Sequence, residues 1–135
     1  MKRITRDWVQ KAETDLRGAQ KLAPGRPPMH DLVCFCCQQS AEKYLKAVLV
    51  ELGRNIPRTH NLEDLLGLLL TDYPHLKKLR RGLKFLIQFA VEARYPGFHA
   101  TKAQAAAALR WAGRVNDACR IVLGVGSRVQ RRKSP

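Results

Sequence analysis

The chain has 135 residues, 45% hydrophobic and 27% charged, enough for one domain whose core needs no disulfide or metal to hold it together. Its 25 lysines and arginines against 11 acidic residues give a net charge of +14, which favours nucleic acid as a partner, ahead of an acidic protein or an anionic membrane surface. Because no stretch is apolar enough to span a bilayer and the first residues lack a signal-peptide core, we expect a cytoplasmic protein with reduced cysteines.

The first two predicted helices are long and amphipathic. Apolar residues recur at helical spacing in the first, from Trp8 to Ala23, and the proline-rich residues 24–28 end it because proline has no amide to donate. The second is expected to have Asp31 as its N-cap and Gly53 just beyond its last turn.

Three further helices are predicted in the second half of the chain. A short one follows the N-cap Asn61, with its leucines at helical spacing. The fourth starts near Pro74 and is predicted to be continuous up to Arg94. The fifth begins at Thr101, which with Gln104 has the spacing of a capping box, and extends to Gly124.

This pattern predicts a single all-α domain. No strand alternation competes with it, and short connections between amphipathic helices favour an up-and-down bundle of four to five helices. We place the bundle in residues 1–127 and a basic flexible tail in residues 128–135. The alanine-rich fifth helix permits close packing, either inside the protomer or along a dimer seam.

The cysteines are expected to be structural. Cys34 and Cys37 have CxxC spacing, but a zinc site would want a second pair and only Cys119 remains outside this cluster. Small cysteine side chains inside a helix commonly fill the core. We therefore predict no metal and no cofactor.

Residues 92–100 combine an arginine and a histidine across a turn. Tyr95 precedes a proline and is therefore pushed out of the helical conformation, and Pro96-Gly97 fit the centre of a type II turn. The reversal would carry His99 back toward Arg94.

Arginine binds phosphate bidentately, and histidine can take a proton from a ribose 2′-hydroxyl or give one to a leaving oxygen. The start of the fifth helix would add free backbone amides. These are sufficient parts for RNA cleavage without a metal. The alternative is an ordinary turn with Arg94 bonded to carbonyls and His99 exposed.

A run of basic residues lies on the fourth predicted helix. A cationic surface leading toward Arg94 would suit the capture of RNA, and a merely solvated helix face is the alternative. The residues are Lys77, Lys78, Arg80, Arg81 and Lys84, and further basic residues of the tail (Arg128, Arg131, Arg132 and Lys133) would form a mobile arm.

Three stretches resemble the HEPN family, small helical domains named for higher eukaryotes and prokaryotes nucleotide-binding. "CFCCQQSAEKYLKAVLVELG" resembles the family's second helix, with a Gln-x-x-x-Glu-Lys-x-Leu-Lys core that starts at Gln38. "PRTHNLEDLLGLL" resembles the Thr-His-x-Leu segment that follows. "ARYPGFH" resembles the family signature, an arginine followed four to six residues later by a histidine.

The resemblance implies a helical bundle that forms a homodimer and a metal-independent ribonuclease that uses Arg94 and His99 from each chain. It also implies a toxin–antitoxin pair with a minimal nucleotidyltransferase. Thr101 lies two residues after the histidine, where members inactivated by adenylylation carry a tyrosine.

Tyr95 follows the arginine where active members commonly carry a polar residue, and its ring could stack on a base. A non-catalytic module that binds a nucleotide or a partner protein is therefore the alternative function.

Overall fold

The computed structural model describes residues 1–125, and no strand occurs in that range. The α-helices of this range are α1 (Arg3–Leu22), α2 (His30–Glu51), α3 (Leu62–Gly67), α4 (Arg80–Ile87) and α5 (Lys102–Val122). Two short 3₁₀ helices, Pro74–Leu79 and Glu92–Arg94, precede and follow α4. The predicted basic tail lies outside the described residues. Within residues 1–125, no helix is both long and apolar enough to cross a membrane.

Cross-helix contacts define an up-and-down path. The Nζ of Lys43 lies 2.6 Å from Oδ2 of Asp15, and the backbone amide of Lys2 donates to Glu51 at 3.0 Å, so α1 and α2 are antiparallel. The amide of Ala100 reaches Asp31 at the start of α2, so α5 begins at the end of the bundle where α2 also begins. The segment with α3 and α4 must therefore run back along the bundle. The helices of the described residues and their up-and-down order confirm the predicted all-α fold.

The core is built around α2. Thirteen of its residues are buried, and leucines from α3, α4 and the first 3₁₀ helix pack around it. Four alanines on one face of α5 are buried inside the protomer and give α5 its close approach to α2, namely Ala105, Ala108, Ala112 and Ala118. The alanine stripe therefore serves packing within the chain.

Three of the four cysteines are core residues, as the sequence suggested. Cys34, Cys37 and Cys119 are fully buried, and this burial raises the pKa of the Cys34 and Cys119 thiols to about 12. No group of three or more histidine, cysteine or acidic residues suited to a metal occurs among residues 1–125.

A buried polar network connects two of the stretches that resemble the HEPN family. The carboxylate of Glu42, only 4% exposed, accepts from Gln38 Nε2 at 3.1 Å and from Lys46 Nζ at 3.0 Å. His60 Nδ1, from the loop before α3, lies 3.1 Å from the same carboxylate. Burial raises the pKa of Glu42, but the hydrogen bonds from Lys46 and Gln38 outweigh it and hold this pKa below its usual range. The polar residues of these two stretches thus have a structural role in this chain.

A second network sets the register of three helices. The hydroxyl of Tyr44 on α2 donates to Glu13 on α1, and Arg120 on α5 lies 2.8 Å from the same carboxylate. These groups are largely buried, so any shift of one helix along another would leave a charge unpaired.

The prediction of one continuous fourth helix was wrong. A 3₁₀ turn brings residues i and i+3 onto one side, and the buried side chains at both ends of this segment have that spacing, Leu76 with Leu79 and Leu86 with Phe89. The amides of Phe89 and Ala90 bond to carbonyls three residues earlier. This tightening buries Phe89, whereas an α-helix would have buried Ala90.

We predict that Gly82→Ala destabilises the domain by about 1–3 kcal/mol, because overpacking a core has that cost. A Cβ at Gly82 would lie 2.0 Å from the Trp111 ring, so the ring would have to move. Gly113→Ala is the matched control, since nothing lies within 4 Å of a Cβ there, and it should stabilise α5 by roughly 0.5–1 kcal/mol. Urea unfolding measures both, and equal stabilities of the two variants would contradict the packing described here.

Candidate functional site

The predicted type II turn is present. The amide of Phe98 donates to the carbonyl of Tyr95 at 3.4 Å, and Gly97 has a φ of +91°, which favours glycine. Tyr95 is extended, with φ −105° and ψ 148°, as expected before a proline. Arg94 ends the second 3₁₀ helix directly before this turn.

Two contacts hold the turn against the bundle. Phe98 packs edge-on against the buried ring of Phe89, with ring centroids 6.0 Å apart. The carboxylate of Asp31 accepts from the amide of Ala100 at 2.5 Å. Asp31 was expected to cap α2, but the helix starts one residue earlier, at His30. Its carboxylate therefore lies in the first turn and reaches across to the start of α5.

Arg94 lies on an aromatic surface. Its guanidinium carbon is 5.3 Å from the ring centroid of Phe35, one helical turn after Asp31 on α2. The side chain of Arg94 makes no ion pair and no hydrogen bond with any residue of the described range. The alternative in which Arg94 bonds to carbonyls is therefore not observed among the described residues. The N–H groups of the Arg94 guanidinium remain available to an anion.

His99 is exposed and lines a shallow cavity of about 230 Å³ beside the first turn of α2. The other lining residues are Pro28, Met29, His30, Asp31 and Ala100. Arg94 and His99 are thus both held against the first two turns of α2. His30 and Phe35 could not be assigned to this site from the sequence, because helical spacing alone does not tell which α2 residues face the turn.

The side chain of Tyr95 is exposed, whereas the side chain of Thr101 is engaged in a helix cap. The ring of Tyr95 is 62% exposed and lies next to Arg94 in the chain. Thr101 forms the predicted capping box, in which its hydroxyl accepts from the Gln104 amide at 3.0 Å and the Gln104 side chain accepts from the Thr101 amide at 2.8 Å. Modification of that hydroxyl would disturb the cap of α5.

The five predicted basic residues come together on one surface. They line a shallow depression of about 380 Å³ where the first 3₁₀ helix meets α4, and no acidic residue of the described range lines it. The residues are Lys77, Lys78, Arg80, Arg81 and Lys84. None of them lines the cavity of His99.

Known proteins resemble the chain over almost its whole length. A sequence model of the HEPN domain matches residues 5–122. TT1696 from Thermus thermophilus has 29% identity and a TM-score of 0.76, and the match covers 87% of this chain and 96% of that protein. ST0689, an archaeal HEPN homologue, has 28% identity and a TM-score of 0.72, with 91% and 99% covered. Comparison with functionally curated proteins found no significant match.

We predict that Asp31→Ala loosens the turn, because the half-buried amide of Ala100 loses its acceptor, at a cost of about 1–3 kcal/mol. Hydrogen exchange should then speed up in residues 95–101 and stay slow in the antiparallel pair of α1 and α2. Asp31→Asn keeps an acceptor oxygen and should have the smaller effect. If residues 95–101 exchange as slowly in Asp31→Ala as in the unaltered protein, the carboxylate does not anchor the turn.

Proposed function

The chain belongs to the HEPN domain family, and we propose that it is a metal-independent endoribonuclease that acts as a homodimer through Arg94 and His99 of each protomer. The observation that carries this proposal is the pairing of these two side chains with one end of α2. There Arg94 rests on Phe35 without a counter-ion among the described residues, and His99 lines an open cavity.

The proposed reaction is an internal transfer within RNA. His99 takes the proton of a ribose 2′-hydroxyl, whose oxygen then bonds to the neighbouring phosphorus. Arg94 stabilises the extra negative charge on the phosphate oxygens. The bond from phosphorus to the 5′-oxygen breaks, that oxygen takes up a proton, and the products are a 2′,3′-cyclic phosphate and a 5′-hydroxyl. Since the nucleophile belongs to the substrate, no activated water is required.

Exposed apolar side chains around the site support the homodimer. Met29 is 47% exposed, Leu32 44%, Val91 48% and Tyr95 62%, and all four belong to the start of α2 or to the segment around Arg94. A second copy that covered this surface would bury apolar area and bring two Arg94–His99 sets together.

The basic charge supports RNA as the substrate and an acidic protein as the inhibitor. We propose that the depression lined by Lys77, Lys78, Arg80, Arg81 and Lys84 holds RNA phosphates beyond the cleaved bond. We further propose that a minimal nucleotidyltransferase is the antitoxin of this protein in the cytoplasm, and that it docks at the turn between Arg94 and His99.

A second candidate function rests on Tyr95. Its exposed ring beside Arg94 could stack on a base while the guanidinium holds a phosphate, which would make the domain a non-catalytic nucleotide-binding or partner-binding module. Calorimetry that compares the binding of ATP and GTP by the unaltered protein and by Tyr95→Ala tests this role separately from cleavage.

We predict that the purified protein cleaves single-stranded RNA in EDTA and leaves 2′,3′-cyclic phosphate ends. Arg94→Ala and His99→Ala should each lower the rate by about 10²–10³-fold, the usual contribution of a charge-stabilising or proton-transferring group. His75→Ala, which alters an exposed histidine on the first 3₁₀ helix, is the matched control and should cleave normally. Equal cleavage by the unaltered protein and His99→Ala would refute the proposed site.

We also predict that Lys77, Lys78 and Arg81 contact RNA. Replacement of all three by Gln in the His99→Ala background should lower the slope of log affinity against log salt by roughly 2, since each single-strand phosphate contact contributes about 0.7. The matched control replaces three exposed cations of α1, Arg3, Arg17 and Lys21, by Gln. Equal slopes for the two triple variants would show that the depression acts only through total charge.

A further inference from the structure

A second histidine faces the cavity of His99. His30, the first residue of α2, is half buried and lines the same space of about 230 Å³. The hydrogen bond between Asp31 and Ala100 joins the residues that directly follow His30 and His99. Two imidazole-bearing segments, 69 residues apart in the chain, are therefore held side by side.

The reaction proposed for Arg94 and His99 assigns no group to protonate the departing 5′-oxygen. His99 removes the 2′-hydroxyl proton and Arg94 stabilises the phosphate, but the departing 5′-oxygen is a poor leaving group unless a proton reaches it. His30 approaches from α2, a different element from the turn that bears His99. We propose that His30 is the general acid of this site, an inference that rests on the proposed ribonuclease function.

His30 also borders a second, cationic cavity. This space of about 630 Å³ lies between the proline-rich loop and α5, and Arg26 and Lys102 line it with His30. Within residues 1–125 no acidic side chain lines it. The two cavities share His30 and Pro28 and thus adjoin each other. The strand that departs after cleavage carries further phosphates, and the cations beyond His30 would hold the first of them.

Two histidines move the protons in this step. The 2′-hydroxyl proton passes to neutral His99 as the 2′-oxygen bonds to phosphorus. The bond from phosphorus to the 5′-oxygen breaks, and protonated His30 gives its proton to that oxygen. RNA is thereby converted to a 2′,3′-cyclic phosphate and a 5′-hydroxyl, and a later exchange of protons with water restores both histidines.

The test compares two leaving groups. RNA has a poor one, whereas uridine 3′-(4-nitrophenyl) phosphate releases 4-nitrophenolate, which departs without protonation. We expect His30→Ala to slow RNA cleavage about 10²-fold or more, as for loss of a general acid, and to cleave the nitrophenyl ester within about threefold of the unaltered rate. His99→Ala should be slow on both substrates, and His75→Ala should be normal on both.

Every outcome decides the proposal. Normal RNA cleavage by His30→Ala would overturn the assignment of His30 as the general acid. An equal loss of cleavage rate on both substrates would also overturn it, and would assign His30 a positioning role. His30→Gln repeats the test if the alanine variant fails to fold, and failure of both variants to fold overturns the assignment in favour of a structural role. If the unaltered protein cleaves neither substrate, the ribonuclease function itself falls, and this inference falls with it.

Discussion

The 22-residue helix α2 is buried along most of its length, so the polar groups on it must find partners inside the protein. Glu42 satisfies this requirement with Lys46 and His60, and Tyr44 satisfies it with Glu13 of α1 and with Arg120 of α5. The bonds to His60, Glu13 and Arg120 each tie another part of the chain to α2 at one register. The apolar residues between them supply the packing free energy, and the polar ones decide which alignment of the helices is allowed.

The candidate site follows from the same arrangement. The first two turns of α2 extend to the end of the bundle where α5 begins, and Asp31 and Phe35 on them hold the turn from two sides. Because the turn is anchored to a rigid helix, Arg94 and His99 are positioned by packed elements rather than by a free loop. His30 lies at the site for the same reason, because it directly precedes Asp31, whose carboxylate anchors the turn.

Much of this arrangement was predictable from local chemistry. The caps at Asn61 and Thr101 and the turn at Pro96-Gly97 depend on residues within four positions of each other, and all three were predicted correctly. The break of the fourth helix was missed because helical spacing fits Ala90 as well as it fits Phe89. Only the neighbouring rings of Phe85 and Phe98 favour burial of the larger side chain.

By itself the sequence determined the helical class, the order of the helices, the turn between Arg94 and His99 and the likeness to the HEPN family. These follow from periodicity, proline and glycine geometry and short motifs, whose physics is local. Only the tertiary structure decided that Asp31 bonds to Ala100 rather than capping its own helix, that Arg94 rests on Phe35, and that His30 shares a cavity with His99. Such pairs lie far apart in the chain and meet only because the packing of α2 against α5 brings their segments together.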